Sequence, residues 1–160
     1  MPTDPGFPSL AQLAAEEEEL QFTRFTNDDA WELGSALVAA ARAQGAPVAI
    51  DVRRNGHQLF KAALPGATPD NDAWIERKAR VVQRFGHGSL YVGQRSREAG
   101  TTFEAEFGLD LQQYAAHGGA VPVTVRSVGP VGVVVVSGLP QVADHLMVVA
   151  AMREHLGISR

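Results

Sequence analysis

A mixed α/β domain is expected from three features of this sequence. Val48 to Arg53 alternates apolar and polar residues and runs into Asn55-Gly56, the mark of a strand that folds straight back on itself. Val131 to Val136 is an unbroken apolar run of strand length, which implies burial on both faces by helices, by a second subunit, or by both. The segments starting at Thr26 and Asp70 repeat their apolar residues at helical spacing. At 160 residues the chain can bury most of its apolar surface around one core and is short for two full domains.

Taken in order, Met1 to Pro8 is rich in Pro and Gly and is expected to form a flexible arm. Ser9 then caps a short helix through the acidic run Glu16 to Glu19, which continues that arm. Leu20, Phe22 and Phe25, with Thr23 and Thr26, suggest a short strand. Thr26-Asn27-Asp28-Asp29 starts a helix, because its side-chain oxygens accept from free backbone N–H groups and its acids suit the positive helix end. Trp31, Gly34, Leu37, Val38 and Ala41 recur along it, and Gly45 with Pro47 stops it.

The hairpin register set by Asn55-Gly56 puts Arg54 opposite His57, Val52 opposite Leu59 and Ile50 opposite Lys61. Asp51 and Phe60 then share the other face, away from the main core. Asp70 is expected to cap a helix striped with Trp74, Ile75, Val81, Val82 and Phe85, its acids leading, its bases trailing, and Glu76 paired with Arg80. Ser89 to Ala99 reads as a short helix ending at Gly100, and Thr101 to Gln113 as irregular or briefly helical. Pro122 has no N–H for a ladder, so the Val121 to Val125 strand places it at a sheet edge or strand start. A last helix from about Gln141 turns Leu146, Val149, Ala150 and Met152 toward the core.

Composition excludes several functions. The net charge of -4 gives no general attraction for phosphate backbones or anionic lipid, so neither nucleic acid nor membrane is an expected partner. With no cysteine there are no disulfides and no thiolate metal ligands, which suits the cytoplasm. The N-terminal residues lack a basic start and an apolar stretch, so no export signal is visible, and no run is long enough to cross a bilayer. The five histidines show no close ligand spacing and no HExxH, so no built-in metal site is expected. Gly86-His87-Gly88 lacks the strand-to-helix setting of a nucleotide loop, and no GxSxG elbow is present. Motifs alone name no reaction.

Four groups of residues can carry chemistry, each beside a plainer reading. His117-Gly118-Gly119 brings an imidazole next to backbone that a ligand can approach closely, or is only a tight loop. Asp144-His145 sits in the first turn of the last helix, fit for ligand binding or proton transfer, or is a dipole partner beside a satisfied histidine. Asp51, Arg53 and His57 form a polar group on the hairpin, facing either a pocket or solvent. Arg77, Lys78, Arg80 and Arg84 make a cationic helix surface that can attract a carboxylate, or a solvated face.

The stretches PVAIDVRRNGHQLFKAALPGATPDNDAWIERKARVVQRFG, LDLQQYAAHGGAVPVTV and VGPVGVVVVSGLPQVADH together resemble the haem-degrading-domain family (GlcG/HbpS-like), in its short uncharacterised branch. Lys78-Ala79, Gly118 through Pro122 with one extra residue, and Gly132 through Ser137-Gly138 are similar to that family's pattern, while Asp144-His145 replaces a tighter Gln-Asp/Glu spacing. The resemblance implies a five-stranded antiparallel sheet flanked by helices, profilin-like or PAS-like, assembled into dimers or larger rings. It also implies that some relatives bind haem or iron. The leading expectation is a homo-oligomer that binds a small molecule, anionic or tetrapyrrole, through Lys78, His117, Gly118, Gly119, Asp144 and His145. An oligomeric adaptor or structural protein, whose doubly apolar strand and acidic N-terminal arm build an assembly that docks other proteins, is a second reading, and a haem-degrading oxidoreductase a third.

Overall fold

The computed structural model describes residues 6–158. Its elements are α1 (Leu10–Glu19), β1 (Gln21–Phe22), α2 (Asn27–Gln44), β2 (Ala49–Arg54), β3 (His57–Ala63), α3 (Pro69–Phe85), α4 (Ser89–Glu98), α5 (Phe103–Phe107), β4 (Ala120–Val125), β5 (Gly129–Ser137) and α6 (Gln141–Leu156). The five strands form one sheet in the order β1-β4-β5-β2-β3. Its four long strands pair antiparallel, and only the two-residue β1 runs parallel to its neighbour β4.

The valine run makes β5 the central strand, shielded on both faces. Val134 and Val136 join Leu33 and Leu37 of α2 and Val148 and Met152 of α6. Val133 and Val135 join Ile75, Ala79 and Val82 of α3. None of the four valines is more than 1% exposed. Each contributes about 1.5–3 kcal/mol by leaving water, and a strand with no wet face has no place for a polar residue.

Thr26 caps α2 as expected, accepting from the Asp29 N–H while Asp29 accepts from Thr26, and Gly45 ends the helix at φ +64°. Trp31 leaves the expected stripe and is 64% exposed. On α3 the cap moves two residues back. Thr68 is the N-cap, its N–H donating to Asn71 Oδ1 at 2.8 Å, because Pro69 fits the first helical position and leaves Asp70 inside the helix. On α6, Val149 and Met152 are buried, but Leu146 is 43% exposed and Ala150 is exposed; Val142, Val148 and Ala151 point inward instead. This helix covers the sheet, α2 and the α1–α4 side together, so its apolar residues cannot follow one stripe.

The hairpin turn has the expected form, with Asn55 at φ +50° and Gly56 at φ +79°. Arg54 pairs with His57, but the register shifts after Arg53–Gln58, so that Val52 pairs with Phe60 and Asp51 with Lys61. The bulge sends the Phe60 ring to the α2 side, where it meets the edge of Trp31 at 5.4 Å and fills the space left open by Gly34. A Cβ on Gly34 would lie 2.3 Å from that ring. Asp51 therefore does not share a face with Phe60.

Pro122 sits opposite Val133 within β4. Val136 N–H donates to Gly119 O at 2.9 Å, and the alternation that follows points the Pro122 nitrogen away from β5. On that side β1 reaches only Thr124 and Val125, so Pro122 occupies a local edge.

The acidic run is no free arm. α1 lies on its own chain, with Leu13 2% exposed beside Leu90 and Val142. Glu17 accepts from the Gly88 N–H at 2.9 Å and pairs with His87 Nδ1 at 2.6 Å. Met1 to Pro5, most of the expected flexible arm, fall outside the described residues; Phe7 stacks 4.0 Å beneath the Arg97 guanidinium. Among the described residues no helix is long and apolar enough to cross a membrane.

Candidate functional site

α3 crosses the sheet with Lys78 on its inner face, next to Ala79 and one turn after Trp74. The Lys78 side chain ends in a buried ion pair. Nζ donates to Asp144 Oδ2 at 3.1 Å and to Val136 O at 3.1 Å, with Lys78 3% and Asp144 1% exposed. Asp144 stands in the first turn of α6, and its oxygens also accept from the N–H of Leu139 at 2.9 Å and of Gly138 at 3.3 Å. Burial pushes the Lys78 ammonium below its ordinary range, opposed by Asp144. Burial likewise pushes the Asp144 carboxyl up, opposed by Lys78 and the two turn amides.

The loop before β4 passes directly over this pair, and glycine alone permits it. At Gly119, φ is +131°, and a Cβ would lie 2.4 Å from Val136 O and 2.6 Å from Lys78 Nζ. At Gly118 a Cβ would lie 2.3 Å from Gln141 O, while the Gly118 N–H donates to Gln141 Oε1 at 3.0 Å. Ser89 Oγ accepts from the Ala120 N–H at 3.1 Å and so anchors the start of β4, a role that no motif in the sequence marks.

Beside the pair lies a cavity of about 300 Å³, bounded by Lys78, Asp144, His117, Trp74, Gly138 and Gln141. His117 is exposed at its rim, with its ring 5.2 Å from Trp74 in an edge-on contact. Desolvation, then the charges of Lys78, Arg97 and Arg77, hold this imidazole below its ordinary range and so neutral. An ammonium carries three N–H bonds, and Lys78 spends two of them on the protein. The third has no acceptor among the described residues.

Three of the six expected binding residues, Lys78, His117 and Asp144, thus line one cavity, and Gly118 and Gly119 form the loop packed on the ion pair without lining it. His145 does neither. Its Nε2 lies 2.5 Å from Glu16 Oε1 on α1, and its Nδ1 is buried without a partner. The polar group on the hairpin also dissolves. Asp51 is 1% exposed and binds Arg53 at 2.9 Å and Gln58 at 2.8 Å, Arg53 continues to Glu76, and His57 is exposed at the turn. Despite burial, Glu76 and Asp51 hold the Arg53 guanidinium above its ordinary range. The group clips β2 to α3, and Glu76 is therefore not the partner of Arg80.

The cationic face of α3 is a fastener. Arg77 donates to Leu111 O at 3.2 Å, Arg80 to Gln113 O at 3.1 Å, and Arg84 reaches Tyr114 Oη at 3.5 Å, so three arginines hold the loop that leads to His117. Away from the site, Asp29, Glu32 and His155 bring potential metal-ligand atoms within 4.8 Å of one another, a grouping that their sequence positions do not suggest. One oxygen of Asp29 is already committed to Thr26.

The sequence and the fold place the chain in a known class. Residues 25–153 match the family described as haem degrading protein HbpS-like, and the chain belongs to it. Among individual relatives, a UPF0303 protein of Streptomyces coelicolor is 60% identical over 157 residues, covering 98% of this chain and 99% of the relative. The crystal structure of Ybr137w protein is 38% identical, with a TM-score of 0.86 over 96% of this chain and 91% of that one. The crystal structure of HbpS is 27% identical, with a TM-score of 0.64 over 86% and 93%. A heme complex of PduOC, 17% identical with a TM-score of 0.64 over 79% and 94%, shares the fold.

Proposed function

We propose that this chain is a cytoplasmic, single-domain homo-oligomer that binds a small anionic molecule at the Lys78–Asp144 cavity. One observation carries the reading: a buried ammonium with a donor to spare, paired with Asp144, lines a cavity that also takes in His117 and the Gly138 turn. Low dielectric around Lys78 strengthens its pull on an anion, and neutral His117 at the rim adds a hydrogen-bonding group of either sense. Absence of cysteine supports the compartment.

Native mass spectrometry of the purified chain tests assembly and ligand together. A multimer carrying an extra small mass is expected, with that mass absent from Lys78→Met. A monomer without retained mass, together with no calorimetric response to pyruvate, acetate or inorganic phosphate, defeats the reading.

Haem is a second reading, supported by the family description and by His117. The cavity of about 300 Å³ is at the small end of ligand sites and is walled by charged and amide groups, so by itself it does not fit a whole macrocycle. The residue that would hold its iron is His117, through a neutral imidazole at the open rim. Bound there, haem would supply a redox-active iron. A saturable Soret shift at micromolar haem, lost in His117→Ala, supports this version, and no shift removes it. Glu16, Glu17 and Glu19 are engaged by His145, His87 and Arg153 of the same chain, which favours the ligand-binding reading over an adaptor docking through that arm.

A further inference from the structure

Across the wall formed by Trp74 and His117 lies a second, larger cavity of about 460 Å³, open on one side and bordered by α3, α4, α5 and the loop before β4. Two arginines line it. Arg77 lies 4.0 Å over the Trp74 ring and gives one N–H to Leu111 O. Arg97 lies 4.0 Å over Phe7 and gives its Nε–H to Gln94 Oε1 at 2.8 Å. Among the described residues neither guanidinium has a carboxylate within 4 Å, whereas Arg53, Arg95 and Arg153 each do. Glu104 is the acid that lines this cavity.

Held on aromatic faces with N–H groups to spare, these two planar cations are set for an oxyanion. Part of the remaining wall is apolar, with Phe103 6%, Ala115 3% and Ala116 7% exposed, while Thr101 and Thr102 add hydroxyls and Ser96 a buried hydroxyl oxygen without a partner. His117 registers the same field from the far wall, since the charges of Arg97 and Arg77 help to keep it unprotonated. Two cations beside one acid favour a singly charged guest, and a volume of about 460 Å³ has room for an apolar body as well as the anionic head.

We propose that this cavity binds a monocarboxylate carried on a small aryl body, with the carboxylate meeting Arg77 and Arg97 and the ring lying against Trp74 and Phe103. The proposal stands apart from the Lys78 site, because its cations and its apolar wall belong to the other side of the Trp74–His117 partition.

Calorimetric titration of the full chain with benzoate, phenylacetate and 3-phenylpropionate, with their primary amides, and with inorganic phosphate tests it. At least one acid binds saturably, its amide binds about tenfold or more weakly, and Arg97→Ala loses about tenfold, the worth of a charge-assisted hydrogen bond. Arg97→Lys, which keeps the charge, recovers part of that loss. Arg24→Ala, an exposed cation on the far side of the molecule, binds within about twofold of wild type, so the loss at Arg97 is not a general effect of removing positive charge. On binding, the His117 pKa followed by proton NMR moves up, because the anion cancels the arginine field. Failure of all three acids to saturate overturns the proposal, as does equal binding of acid and amide. Arg97-dependent binding of phosphate alone overturns the aryl carboxylate class. Binding lost in Lys78→Met but kept in Arg97→Ala overturns it in favour of the first cavity, whereas failure of pyruvate, acetate and phosphate to bind defeats only the Lys78 reading.

Discussion

Gly119→Ala puts the close approach of the β4 loop to the ion pair under direct test. Two costs add. A φ of +131° is a region that side chains avoid, at about 1–3 kcal/mol. The new Cβ also falls 2.4 Å from Val136 O, 2.6 Å from Lys78 Nζ and 3.1 Å from Asp144 Cβ. The carbonyl cannot retreat without disturbing the β4–β5 ladder, and forced overpacking of this kind costs about 1–3 kcal/mol. The sum, about 2–6 kcal/mol, is a large part of the about 5–15 kcal/mol that stabilises an ordinary domain. At about 2–4 °C per kcal/mol for a chain of this size, Tm falls by about 4–24 °C. Scanning calorimetry at matched protein concentration reads this, with Gly45→Ala as the control. Gly45 has φ +64° and nothing within 4 Å of its would-be Cβ, so that variant isolates left-handed backbone strain at about 1–2 kcal/mol. A Gly119→Ala melt within about 2 °C of wild type, or no lower than that of Gly45→Ala, would refute the collision argument.

Three further outcomes are expected. Asp144→Ala strands a buried ammonium and two turn amides, and urea unfolding should show a loss of about 3–5 kcal/mol. The lowered folded pKa of His117 means that the unfolded chain takes up more protons as pH falls through its ordinary value of 6.5. The stability linked to neutral His117 is thus complete above pH 6.5 and is lost as pH falls through the folded value, so His117→Gln should flatten the urea midpoint between about pH 7 and about pH 5. Leu13→Ala should cost about 2–5 kcal/mol and raise amide exchange first in α1, because Leu13 is the buried contact of that helix with Leu90 and Val142.

What the sequence made legible depended on range. The Asn55-Gly56 turn, the Thr26 and Gly45 ends of α2 and the double burial of β5 are written in neighbouring residues or in one unbroken pattern. The bulge near Leu59 was not, because it is decided by the space above Gly34, on a different element. At the site, the double glycine flagged a close approach, but which atoms approach was fixed by chain 17 residues away in Val136 and by Lys78. Lys78 looked like one of four cations on a helix surface, and its burial, with Asp144 at a separation of 66 residues, is what distinguishes it. Asp144 and His145 were read as a unit because they are adjacent. Adjacent residues on a helix diverge by about 100°, so one enters the cavity and the other turns to α1.

The carbonyl beneath Lys78 belongs to Val136, in a strand paired on both sides and covered on both faces. Hydrogen exchange there must await the opening of the whole molecule, since β5 cannot fray from an edge. The bottom of the Lys78 cavity is consequently as stiff as the protein itself. Any accommodation to guests of different shape has to come from the lip, around His117 and the turn after Ser137, and a redesign of selectivity would begin with those few positions and leave the floor untouched.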